Sequence, residues 1–292
     1  MAIKRPIIST GIEAETIARN HPDSAVWLAS DTEGRTLALF QAERELPAKG
    51  ALVILADEGM SAASGVADAL RDSLSRAGWA VITLGLPQPP FAVQEWLRQQ
   101  NNAAPGSADG AVDKQAAKEN PQAEQGQAAQ EEQSSVMINV MSDVMPDKAL
   151  TQYRNQVVAS LTAAVDALKK REYQRVVLAG IGRASGHLTR QLLEDERVSD
   201  LIWIAPHFYT DESDGLTELL AAATSPSVLE LYSTFSADRT LDRAADEREA
   251  AMARAGVKGY RRQPVAMTRH PKAREAHKLA NRISAWLQST AR

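Results

Sequence analysis

No cysteine occurs among the 292 residues, which excludes structural disulfides, thiolate metal sites and a cysteine nucleophile. Histidine is scarce as well. The five present show no H-E-x-x-H or comparable ligand spacing, so no metal site is expected. Positive charge is not in excess: a net charge of −4 and a pI near 5.8 oppose a general nucleic-acid surface. No apolar run is long enough to span a membrane, and the start, Met1 to Pro6, lacks the apolar core of a signal peptide. The chain therefore reads as a soluble protein with no membrane span. With 44% hydrophobic and 24% charged residues, it is long enough to bury a sizeable core.

One stretch lacks nearly everything a core needs. Residues 101–135 contain a single valine, no other branched apolar residue and no aromatic. Such a segment cannot offset the entropy of ordering. It is expected to be a disordered low-complexity insertion, dividing one domain made of residues 1–100 and 136–292. Its acidic, glutamine-rich composition makes it a candidate tether or protein-partner segment.

The flanking sequence is regular. Val26–Ala29 and Thr36–Phe40 read as strands joined by a turn at 31–34, and Ala51–Ala56 and Trp79–Leu84 as strands buried on both faces. Val66, Leu70 and Leu74 recur at helical spacing between the latter two, as do Val157, Leu161, Val165 and Leu168 farther on. Strands at 176–179, 201–204, 228–232 and 263–267 then alternate with helices at 187–194 and 216–223. A final helix carries Leu279, Ile283, Trp286 and Leu287 on one face. Strands alternating with helices, and themselves lacking polar alternation, predict an α/β fold with a mostly parallel central sheet covered on both sides.

The most informative segment is Val176-Val177-Leu178-Ala179-Gly180-Ile181-Gly182-Arg183-Ala184-Ser185-Gly186. A β-branched run enters a glycine-rich turn and then a helix. Read as the strand-to-helix elbow G-x-S-x-G, it puts Gly180 and Ala184 at the small positions and Gly182 at the nucleophile's place. Read as a phosphate-cradling turn, Gly180, Gly182 and Gly186 would receive a dinucleotide pyrophosphate beside Arg183. Against this, the next strand ends Ile204-Ala205-Pro206, with no acid for a ribose hydroxyl.

The order of elements resembles the α/β-hydrolase fold over nearly the whole chain outside 101–135, with antiparallel strands at the N-terminal edge. More narrowly, Lys49–Leu55, Ala77–Pro87 and the closing Asn281–Leu287 are similar to a bacterial group, domain-of-unknown-function family 3530. These are mainly packing residues and carry fold better than activity. A bacterial group implies the cytoplasm, or the periplasm where a leader has been removed.

A serine hydrolase of this fold needs a nucleophile, then an acid, then a histidine, in that chain order, plus two oxyanion donors. Ser185 is an off-pattern candidate nucleophile, although a serine in a first helical turn more often caps the helix. Asp238 and Asp242 are candidate acids, with Glu230 inside the preceding strand. His270 stands where the hydrolase base belongs; His277 reads as a surface or packing residue. His207 is a candidate pocket histidine at the carboxyl end of a central strand. Asp57-Glu58-Gly59-Met60 stands where half of the oxyanion hole is expected, and its two acids would repel a developing oxyanion.

These residues point to a hydrolase scaffold with a degenerate elbow that binds a ligand or partner without catalysis. The alternatives are an ester hydrolase using Ser185 with His270, and a dinucleotide-binding protein. The first reading requires no cofactor. Its expected crevice is walled by Asp57 to Ser61, Gly182, Arg183, His207 and His270. Backbone N–H groups in it would favour an anion or carbonyl oxygen, while Asp57 and Glu58 shift the expectation to a small neutral or weakly polar ligand. Gly182→Ser is expected to restore the missing hydroxyl.

Overall fold

A strand buried on both sides must offer apolar groups alternately to two layers, and β3 (Ala51–Glu58) does so. Ala51, Val53 and Leu55 enter one core cluster, and Leu52, Ile54 and Ala56 the other. β5 (Val176–Ile181), β6 (Val198–Ile204) and β7 (Ser227–Ser233) repeat this alternation, with Trp203 of β6 fully buried in the first cluster. Removing each such Leu, Val or Ile from water contributes about 1.5–3 kcal/mol.

The computed structural model describes residues 11–30, 34–103, 147–209, 212–222, 227–235 and 239–290. With β1 (Ala25–Ser30), β2 (Gly34–Gln41), β4 (Ala80–Leu86) and β8 (Tyr260–Val265), these strands form one eight-stranded sheet. Its order is β1-β2-β4-β3-β5-β6-β7-β8. β1 and β2 are antiparallel at one edge, and every pairing from β4 through β8 is parallel. Strands from both sides of the expected insertion therefore lie in a single sheet.

The first face carries α4 (Asp147–Lys169), α5 (Ala184–Glu194), α6 (Glu212–Ala222) and α7 (Arg239–Arg254). The second carries α2 (Gly65–Arg76) and α8 (Ala276–Ser289), the latter preceded by a 3-10 turn at Ala273–Glu275. Two further helices, α1 (Gly11–Asn20) and α3 (Phe91–Ala103), complete the described elements.

Three details differ from the sequence reading. α3 extends through Ala103, so residues 101–103 are helical; the rest of the expected insertion, 104–135, lies outside the described residues. β8 begins at Tyr260 and ends at Val265, earlier than 263–267. Its arginines hid it from a hydrophobicity pattern. Arg262 in fact lies over the Tyr232 ring and pairs with Asp246 and Glu249 at 2.6 and 2.9 Å. α1, α3 and α7 were not expected at all; half of α7 is charged, and it buries Ala245 and Met252 as its contribution to the core.

Candidate active site

The elbow forms where β5 meets α5. A Cβ on Gly180 would lie 2.8 Å from the Ser185 nitrogen, so only glycine lets the helix start this close to the strand end. Gly182 has φ +59°, the left-handed conformation that disfavours a side chain. Its N–H donates to the Ile204 carbonyl at 2.9 Å, tying the turn to β6.

The space beside Gly182, where a side chain would begin, is filled by Asp57 from the end of β3. A Cβ built on Gly182 would fall 2.3 Å from Asp57 Oδ1 and 2.4 Å from both Cγ and Oδ2. Oδ1 accepts the backbone N–H of Arg183 at 2.9 Å and that of Glu58 at 2.8 Å. A carboxylate at the start of α5 is also favoured by the helix dipole. This corrects two expectations. The Arg183 N–H does not point into an open crevice, because Asp57 occupies it. Gly182→Ser cannot simply restore a hydroxyl, because its Cβ would overlap Asp57.

Asp57 Oδ2 faces His270, whose Nδ1 lies 3.9 Å away; the Asp57 side chain is 25% exposed and that of His270 71%. The His270 ring stacks on His207, with centroids 5.2 Å apart and planes at 18°. His207 Nδ1 lies 2.6 Å from the Ala205 carbonyl, and Arg269 Nε donates to Nε2 at 3.2 Å. The proton therefore sits on Nδ1, and the ring is held neutral. Burial lowers its pKa, partly opposed by the bond to Ala205. The structure thus brings Asp57, Gly182, Arg183, His207 and His270 together.

Glu58 turns away from the elbow. Its Oε2 accepts the Tyr209 hydroxyl at 2.8 Å, and the Arg183 guanidinium lies 3.8 Å over the Tyr209 ring. Burial raises the Glu58 pKa, while the Tyr209 bond and the Arg183 charge pull it back. Glu212 continues the network, accepting from Arg190 at 2.8 Å and from the Tyr209 N–H at 3.3 Å. A Cβ on Gly186 would lie 2.8 Å from the Glu212 carboxylate, so carboxylates stand over two of the three elbow glycines. Tyr209 and Glu212 were missed in the sequence; a tyrosine and an acid in a loop after a strand carry no motif.

Other candidates lie apart. Ser185 is fully buried, its hydroxyl directed at the Gly180 carbonyl at 3.3 Å. Ser61 pairs with the Ser64 hydroxyl at 2.8 Å. Gly59 donates its N–H to the Leu86 carbonyl, and Met60 is exposed at the rim. Asp238 lies outside the described residues. Glu230 is fully buried and receives Arg248 at 2.6 Å and the Tyr260 hydroxyl at 2.6 Å, a structural triad on the first face of the sheet. No group of three or more His, Asp or Glu able to hold a metal occurs among the described residues, and no described helix is long and apolar enough to cross a membrane.

The family described as protein of unknown function (DUF3530) matches residues 2–289. The chain belongs to this family. No curated protein matches the sequence. Among solved structures, the DUF3530 chain is similar to a dienelactone hydrolase from Anabaena variabilis, at 13% identity and TM-score 0.54, covering 92% of this chain and 97% of that one. It is also similar to an esterase domain from Rhodothermus marinus (9% identity, TM-score 0.53, 91% and 97% covered). A third match is Est1E from Butyrivibrio proteoclasticus (10% identity, TM-score 0.52, 91% and 98% covered). At these identities the likeness establishes the α/β-hydrolase fold and nothing about chemistry.

Proposed function

We propose that this DUF3530 protein has no serine nucleophile and uses its crevice to bind a small neutral or weakly polar ligand. The observation that carries the reading is the Asp57 carboxylate lying where a Gly182 side chain would begin, with Oδ1 on the Arg183 N–H. Acyl transfer needs that N–H free for an oxyanion. Burial of Ser185 and the pairing of Ser61 with Ser64 leave neither candidate serine aimed at His270. Oδ2, on a part-exposed side chain, calls for a ligand with a hydrogen-bond donor. A pyrophosphate is disfavoured by the carboxylates of Asp57 and Glu212 over Gly182 and Gly186.

The test is a fluorophosphonate probe applied at concentrations that label a serine esterase control. The protein should remain unlabelled; stoichiometric labelling mapped to Ser185 or Ser61 would overturn the reading. Nicotinamide and flavin cofactors should leave the melting temperature unchanged, since a dinucleotide site would stabilise the fold.

A further inference from the structure

β1 ends the sheet on one side and β8 on the other, so each presents an outer row of backbone groups. The two edges are unlike. β8 reads Tyr260-Arg261-Arg262-Gln263-Pro264-Val265, with Arg261 exposed and Pro264 lacking an N–H. Charge and proline are what keep a strand edge from pairing with another chain. β1 reads Ala25-Val26-Trp27-Leu28-Ala29-Ser30 and has neither.

The ladder decides which groups of β1 point outward. Phe40 donates its N–H to the Ser24 carbonyl at 2.7 Å, and the register continues with Val26 opposite Ala38 and Leu28 opposite Thr36. Hydrogen-bonded positions alternate along an antiparallel pair, so Ser24, Val26 and Leu28 direct their N–H and C=O groups at β2. Those of Ala25, Trp27 and Ala29 point away from it. The Ala25 N–H turns back to the His21 carbonyl at 2.9 Å. The N–H groups of Trp27 and Ala29, and the carbonyls of Ala25, Trp27 and Ala29, have no partner among the described residues.

We propose that β1 is a self-association edge whose partner is β1 of a second copy of this chain, antiparallel across a two-fold axis at Trp27. The outward groups are self-complementary in that register. Each Trp27 N–H meets the other copy's Trp27 carbonyl, and each Ala29 N–H meets the other copy's Ala25 carbonyl. The Ala25 N–H, already held by His21, ends the ladder. Because side chains alternate with period two, the same register keeps the faces of the two sheets together. Val26 comes opposite Leu28 on the face that α4 covers, where both pack in the first core cluster. Trp27 comes opposite Trp27 on the other face, where it is 37% exposed. Such aromatic and apolar cross-strand pairs are favourable, and neither strand carries a charge to be repelled. Arg35, whose guanidinium lies 5.0 Å over the Trp27 ring, belongs to β2, one strand in from the edge. An arbitrary extended peptide would also satisfy the edge. The match of donors, acceptors and side-chain faces about one residue is a property of the strand paired with itself, and a two-fold contact closes after two copies.

The test is analytical ultracentrifugation of the full chain at up to about 100 µM, where self-association follows mass action. The wild type should sediment as a dimer of the 31.6 kDa chain. Ala29→Pro removes an outward N–H and no bond to β2, and Trp27→Lys sets two ammonium groups opposite each other. With the circular dichroism spectrum unchanged, each should weaken the dimer by about tenfold or more. Arg261→Ala, at the other edge, should leave it as it was. Amide exchange over residues 25–30 should slow as protein concentration rises. A wild type that stays monomeric, or a dimer that both β1 variants leave intact, would overturn the proposal. Slow exchange of Trp27 and Ala29 in the monomer would overturn it too, by showing that another segment of the chain already holds the edge.

Discussion

Gly182→Ser is the sharpest perturbation this site offers. Its Cβ would sit 2.3–2.4 Å from three atoms of the Asp57 carboxyl group, so Asp57 must move. Moving it gives up two hydrogen bonds to a charged group, each worth about 1.5–3 kcal/mol. A side chain at φ +59° adds about 1–2 kcal/mol. Water reaching the part-exposed carboxylate offsets some of the loss, so the expected destabilisation is about 3–5 kcal/mol, a large share of an ordinary domain's stability. Equilibrium urea unfolding of the wild type, Gly182→Ser, Asp57→Ala and the double variant forms a cycle. Asp57→Ala alone should cost about 2–4 kcal/mol, since it orphans the Glu58 and Arg183 N–H groups. With the carboxylate gone, Gly182→Ser should cost only the backbone strain of about 1–2 kcal/mol. A cost below about 1 kcal/mol in the wild-type background, or equal costs in both backgrounds, would refute the claim that Asp57 occupies the space beside Gly182.

Two other measurements probe the surroundings. Glu230→Ala leaves the guanidinium of Arg248 in the interior without its carboxylate and should cost about 3–5 kcal/mol by urea unfolding; a change under 1 kcal/mol would mean the triad is not a structural element. His187, edge-on against Tyr153, has its pKa lowered to about 4, mainly by burial. The unfolded histidine binds its proton near 6.5, so stability is full above that pH and falls as pH drops from 6.5 to 4, by at most about 3 kcal/mol. His187→Gln should remove that part of the acid limb, and stability–pH curves that stay parallel to the wild type over this window would contradict it.

Most of the sheet was legible in the sequence because its cause is local. A strand covered on both faces must be apolar at every position, and Ala51–Ala56, Val176–Ala179 and Leu201–Ile204 are; the glycines that bring α5 against β5 are likewise visible as residues that lack a Cβ. The edge was less legible. β8 and α7 carry charges satisfied across space, by Arg262 with Asp246 and Glu249 and by Arg248 with Glu230, and pattern reading counts such charges against burial. The glycine at the elbow showed in the sequence that position 182 carries no side chain, but not what lies in the space beside it. Asp57 meets the Arg183 N–H across 126 residues of chain, and Glu58 meets Tyr209 across 151. Sequence fixes which backbone groups the elbow exposes and where the space is empty; only the side-by-side pairing of β3 with β5 decides that a carboxylate reaches that space. The physical reason is that a hydrogen bond depends on ångström-scale distance between atoms, and separation along the chain says nothing about that distance until the sheet has formed.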